Sequence, residues 1–152
     1  MKHYFFLLLL PLIAVILNSC NDEDEVLNQD LIEGQWEVIS SDHPDYTCIY
    51  DFTTDGRGFA EGELYTYYII SNNNGEETKK PIENYYWNAT GPQNNNNRLE
   101  VKIIPLSVIN SPEAGDKLEE YLVTELSSRT MTWKRISPND GLIRRFVRKS
   151  NL

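Results

Sequence analysis

From Gly34 to Lys149 the chain repeats one short unit: alternating or β-branched and aromatic residues, then a cluster of Gly, Asn, Asp, Pro or Ser. A side-chain period of two belongs to an extended strand with one covered face, and the clusters supply turn geometry. No apolar run at helical spacing competes with this pattern. The spacing predicts eight strands, over 34–40, 46–53, 57–70, 82–90, 98–104, 117–126, 129–137 and 142–149. Thr54-Asp55-Gly56 places Asp-Gly where a tight hairpin needs positive φ. Asn72-Asn73-Asn74-Gly75 and Asn94 to Asn97 tolerate the left-handed region, and Ser127-Ser128 and Pro138-Asn139-Asp140-Gly141 allow the last turns. Residues 107–116, with Pro112 and Gly115, form a longer excursion, either a helical turn or a flap. Residues 26–33 predict a short helix or turn that packs Leu27, Leu31 and Ile32 beneath the domain.

Eight antiparallel strands joined by short hairpins predict an all-β, up-and-down barrel, which removes the edges that an open sheet must guard. A two-sheet β-sandwich fits the same pattern and stays open as the alternative. Charge is distributed unevenly along these strands. Residues 20–63 hold thirteen acidic groups against Arg57, whereas residues 129–149 hold seven bases against Asp140. In a closed barrel the first and last strands are neighbours. Cross-strand ion pairs are therefore expected, such as Glu37 with an Arg of 144–148.

The N-terminus speaks to location. Met1-Lys2-His3 is a short positive start, and Tyr4 to Leu17 is uninterruptedly apolar. Those 14 residues fall short of the roughly 20 that a spanning helix needs, so the segment reads as a signal-peptide core. Leu17-Asn18-Ser19-Cys20 resembles the lipobox of bacterial lipoproteins, with Asn18 departing from the usual small or apolar residue. The resemblance implies that residues 1–19 are removed and that Cys20 becomes the lipid attachment site. The mature chain then has 133 residues and a net charge of −10, with Cys48 as its other thiol. With Cys20 acylated no intramolecular disulfide can form, so burial alone must hold the core. The partner implied is a membrane, reached through the lipid. Asn21-Asp22-Glu23-Asp24-Glu25 reads as a solvated tether and also resembles an acidic export signal of Gram-negative lipoproteins. Location is thus an outer-membrane anchor, surface-exposed or periplasm-facing. The divisions are a signal peptide at 1–19, an acidic tether at 20–30 and a barrel domain at 31–150.

Four short motifs then bear on family. Gly34-Gln35-Trp36 opens the first strand; Phe52-Thr53-Thr54-Asp55-Gly56-Arg57-Gly58 forms a hairpin; Leu122 to Leu126 precedes Met131-Thr132-Trp133; and Phe146-Val147-Arg148 closes the chain. Together, over roughly 31–149, they resemble the small lipocalin-like lipoproteins of Gram-negative bacteria, in which Gly-x-Trp is the opening signature. The resemblance implies a lipocalin-like barrel whose floor is closed by Gly34 and Trp36, with Arg148 stacked on the indole. Guanidinium over indole is a favourable cation–π pair, and a structural one.

Little in the chain suggests catalysis. His43, the sole mature histidine, sits in a proline-containing loop and reads as solvated; a hydrolase-like role for it is the weakest of the readings. Cys48 alternates with Tyr46, Tyr50 and Phe52 and reads as a buried apolar thiol. Asp51 to Gly56 starts like a calcium loop, but its twelfth position falls on Gly62, so a hairpin is the better reading. Glu61 and Glu63 form the wet face opposite Ala60, Gly62 and Leu64. Asn88-Ala89-Thr90 is a chance sequon. So few His and Cys argue against a metal site, and the net charge of −9 argues against nucleic acid. No cofactor and no enzymatic activity are expected, and the oligomeric state stays open. The nine Tyr, three Trp and five Phe carry the functional interest. Tyr50, Tyr68, Tyr85, Trp87 and Trp133 are the candidates for holding a small apolar or amphipathic ligand by burial. A shallow cavity is expected among side chains this bulky. The alternative is a surface module for a protein or glycan partner, using exterior tyrosines near 65–68 and 85–87.

Overall fold

The computed structural model describes residues 28–39, 46–56, 60–91 and 98–149. The signal segment, Cys20, the acidic run, Leu27, His43 and Asn94 to Asn97 lie outside the described residues. The strands are β1 (Gly34–Val38), β2 (Thr47–Phe52), β3 (Glu61–Ser71), β4 (Glu77–Thr90), β5 (Leu99–Pro105), β6 (Glu119–Leu126), β7 (Thr130–Ser137) and β8 (Ile143–Arg148). Each pairs antiparallel with the next, and β8 returns to β1 with Arg148 opposite Trp36 and Phe146 opposite Val38. The result is a closed up-and-down barrel, and the sandwich is excluded.

Alternation along the strands divides the side chains between interior and surface. Tyr50 and Phe52, Trp87 and Ala89, Tyr121 and Val123, and Met131 and Trp133 all enter one core. Gly62 and Leu64 are buried while Glu63 between them is exposed. Trp133 sits at the centre of the core, its ring 4.9 Å from Tyr121, 5.1 Å from Phe146 and 5.6 Å from Phe52 between centroids. Such aromatic pairs add about 0.5–1.5 kcal/mol each beyond their buried area. They also fill the barrel's middle, so open space can exist only towards an end.

The chain departs from the sequence expectations in identifiable places. β4 begins at Glu77 rather than at 82, because 77–81 carry no apolar alternation and are held by backbone pairing with β3, with Lys79 over the Tyr67 ring at 5.1 Å. That outer half of the hairpin is exposed. Its turn is set by Asn72, whose Oδ1 accepts from the N–H groups of Asn74 (3.0 Å) and Glu76 (2.8 Å), with Gly75 at φ +80°. At Thr54 to Gly56 the connection is wider than a tight hairpin, since β2 ends at Phe52 and β3 begins at Glu61. The 107–116 excursion leads into a 3₁₀ turn at Ala114–Lys117, and a second turn covers Gln29–Leu31.

A bulge opposite Thr66/Tyr67 leaves Ile82 of β4 unpaired. The Thr66 hydroxyl clasps it, donating to the Glu83 carbonyl at 2.7 Å and accepting the Glu83 N–H at 3.2 Å. Bulges re-aim side chains, and this one turns Ile82 towards the barrel's rim. Tyr67 and Ile69, on the opposite face of β3, join Ile49 in a small separate cluster.

The expected ion pair at the seam is absent. Glu37 stands opposite Val147, and the salt bridges among the described residues lie elsewhere, at Arg98–Glu100, Lys102–Glu120, Arg135–Glu119 and Arg135–Asp140. The strand neighbours are as expected, but by alternation Arg144 and Arg148 share the inward face of Phe146, while Glu37 faces outward with Val147. Arg145, on that outward face, makes no salt bridge with Glu37. Cross-strand pairing is strongest between residues directly opposite on a common face, and the residue opposite Glu37 is Val147.

Candidate functional site

The two ends of the barrel are built differently. At one end, Ile32 is fully buried and its carbonyl accepts the Trp36 indole N–H at 2.7 Å. Arg148 lies over that indole, its guanidinium carbon 4.2 Å from the ring centroid. Its Nε donates to the Ser128 carbonyl at 2.9 Å and its Nη1 to the Glu33 carbonyl at 2.8 Å, while Nη2 donates to Leu31. Gly34 makes room for this arrangement. It sits at φ +114°, and a Cβ there would lie 2.6 Å from Arg148 Nη1. This end is a floor, closed by one arginine that ties the 3₁₀ turn to β8.

At the other end a cleft of about 500 Å³ opens between the rims of β1, β2, β3, β4 and β8. Small-molecule sites usually occupy about 300–1,000 Å³, so the space is of functional size. Tyr50 forms its base and joins it to the aromatic core. Tyr46 and Tyr68 meet edge to face, with centroids 4.4 Å apart and planes at 69°. Tyr85, Ile82, Val38 and Thr66 extend the wall. Burial pushes the Tyr85 phenol above its usual range, with Glu119 and Glu83 adding to the effect.

Two reactive groups face this cleft. Cys48 is a free, half-buried thiol. Burial raises its pKa, and the Arg144 guanidinium works weakly against that rise. A thiol so placed is mostly protonated at neutral pH, which suits packing better than nucleophilic attack. Arg144 reaches in from β8 over the Tyr50 ring, 5.4 Å from its centroid. It has no hydrogen bond or carboxylate partner among the described residues, and burial pulls its pKa below the usual arginine range. Arg135, near the same rim, is in the opposite condition. It donates to Glu119 at 3.0 Å and through Nε to Asp140 at 2.9 Å, and Tyr121 donates to the same Glu119.

Of the residues singled out from the sequence, Tyr50, Tyr68 and Tyr85 are brought together here. Trp87 and Trp133 are not. Both are fully buried in the packed barrel, where the Trp87 indole donates to the Thr53 carbonyl at 2.9 Å. The alternation that correctly put Trp87 and Tyr85 on one face could not say how far along the barrel axis each would lie. Charge distribution alone offers Arg144 only as a partner for the acidic first strands. Its two-residue spacing from Phe146, and that of Phe146 from Arg148, was the available sign that it points inward.

A second hollow of about 400 Å³ lies near the floor, beside Gln29, Glu61, Asn88 and Gly91. Glu61 there accepts the Tyr86 hydroxyl at 2.6 Å and the Asn88 amide at 3.3 Å, and that bond pushes the Tyr86 phenol up to about 12. Glu61 is thus already satisfied by Tyr86 and Asn88. Among the described residues no three His, Cys, Asp or Glu side chains stand close enough to hold a metal ion.

No family model matches the chain, and no curated protein does. Among solved structures the chain is similar to a lipocalin-like protein from Bacteroides uniformis ATCC 8492. That likeness covers 79% of this chain and 99% of that one, at 16% identity and a TM-score of 0.38.

Proposed function

We propose that the protein is a lipid-anchored envelope protein of the lipocalin-like kind, whose barrel takes up a small amphipathic molecule at its open end. The observation that carries the reading is the tyrosine-walled cleft of about 500 Å³ above a barrel filled by aromatics. Binding is by shape and burial, and no bond is made or broken. Tyrosines suit such a wall, since each offers an apolar body and a polar tip. The anchor is the acylated Cys20, which holds the barrel at the outer membrane by way of the acidic tether.

An exterior interaction surface has less support. Tyr68 and Tyr85 belong to the cleft, Tyr67 is buried, and Tyr86 is tied to Glu61, which leaves Tyr65 as the exposed aromatic of that group. The test is native mass spectrometry of the protein taken from its own membrane. The expected spectrum shows the chain beginning at an acylated Cys20 and a fraction carrying a small-molecule adduct. Substituting Tyr68→Ala and Tyr85→Ala together should remove the adduct and leave the fold intact. An unadducted protein, or an adduct that survives the double substitution, speaks against the cleft.

A further inference from the structure

We infer that the ligand of this cleft is an anion: an amphipath with a single carboxylate or similar acidic head, held by the guanidinium of Arg144. The inference rests on the reading of the cleft as a binding site and adds the charge of what it binds. A guanidinium that leaves water must find acceptors, because burying an unpaired charge is costly. The Arg144 guanidinium has left much of the water without finding any among the described residues. Its protein surroundings are the Tyr50 ring, whose face attracts a cation weakly, and the neutral thiol of Cys48. Glu37 borders the same cleft but stands opposite Val147 and makes no ion pair with Arg144.

The contrast within β8 shows that this is a property of the site and not of buried arginines in this barrel. Arg148, on the same face of the same strand, has its donors on the carbonyls of Leu31, Glu33 and Ser128. Arg135 has two carboxylates. Of these three, Arg144 is the one whose guanidinium has no acceptor among the described residues, and it borders a cavity. A guanidinium presents a planar fork that fits a carboxylate with two parallel hydrogen bonds, roughly twice as strong as neutral ones. With its head there, a ligand's apolar body would lie against Tyr68, Tyr85 and Ile82. The head would compensate Arg144, and the body would cover the tyrosine faces.

The experiment uses the full-length protein in lipid nanodiscs, titrated calorimetrically against empty discs as a blank. The probes are 4-phenylbutyrate, the neutral 4-phenylbutan-1-ol and the cationic 4-phenylbutylamine, which share one body and differ in the head. The expected result is that the acid binds at least about tenfold more tightly than the alcohol, and the amine more weakly still. In Arg144→Gln the acid and the alcohol should bind equally, and Arg144→Lys should keep part of the preference, since the charge remains and the fork is lost. Equal binding of acid and alcohol by the unsubstituted protein, or a preference that survives Arg144→Gln, overturns the anion assignment and leaves the cleft as a binding site. Failure of all three probes to bind overturns the cleft reading itself, and this inference with it. The comparison of probes on the unsubstituted protein decides the matter even if Arg144→Gln does not fold.

Discussion

The two ends of this barrel use the same residue type from the same strand to opposite effect. At the floor, Arg148 is stacked on Trp36 and hydrogen-bonded to backbone carbonyls that the Gln29–Leu31 turn and its flanks bring within reach. At the mouth, Arg144 sits over Tyr50 with no acceptor among the described residues. What separates a structural arginine from a recognition arginine is whether the chain itself supplies acceptors. The turn before β1 crosses beneath the floor and supplies them. Nothing among the described residues does so at the rim, where the cleft takes the corresponding place.

Substitutions can break this contrast or sharpen it. The largest effect is expected at the floor. Trp36→Ala removes a fully buried indole together with the stacking partner of Arg148, and should lower stability by about 3–5 kcal/mol in urea unfolding. Gly34→Ala should cost about 2–3 kcal/mol, because a Cβ at φ +114° meets both backbone strain and the Arg148 guanidinium. A matched pair then tests the contrast directly. Arg148→Met leaves carbonyls without donors and should cost about 2 kcal/mol. Arg144→Met relieves an unpaired charge and should be neutral or stabilising by up to about 1 kcal/mol. Equal losses from the two would mean that the mouth is structural after all.

Smaller effects concern titration. The raised pKa of Cys48 predicts slow alkylation by iodoacetamide at neutral pH, rising only above the ordinary thiol range. Arg144→Gln should slow it further by removing the neighbouring charge that favours thiolate. Alkylation as fast as that of free cysteine at pH 7 would contradict this burial. At the rim, Arg135 holds the Asp140 carboxyl down to about 2, against an ordinary 3.8. A depressed carboxyl pKa stabilises the folded state above the unfolded value and loses that contribution as pH falls through the folded one. Stability should therefore carry a small Asp140-dependent decline between about pH 4 and 2. Asp140→Asn should flatten it, with the effect reduced by the carboxylate's exposure.

Much of this architecture was legible residue by residue, and its gaps have physical causes. Period-two alternation located all eight strands, since one-sided burial imposes that pattern locally. It missed the start of β4, because Glu77 to Pro81 extend into solvent without apolar alternation and are held mainly by backbone bonds, which leave no mark in side-chain type. The bulge at Ile82 was equally invisible, as it depends on the Thr66 clasp across the sheet. Inward and outward faces could be read for Tyr85 and Trp87, but the depth that puts one in the cleft and the other in the core could not.

Alternation and turn chemistry by themselves determined an eight-stranded antiparallel chain with an aromatic interior, because both act between near neighbours. The choice of barrel over sandwich was decided by β8 meeting β1, a contact between residues more than a hundred positions apart. The same closure decided which of two inward arginines would find carbonyls and which would face open space. No local pattern could make that choice, since it depends on what the far end of the chain brings alongside.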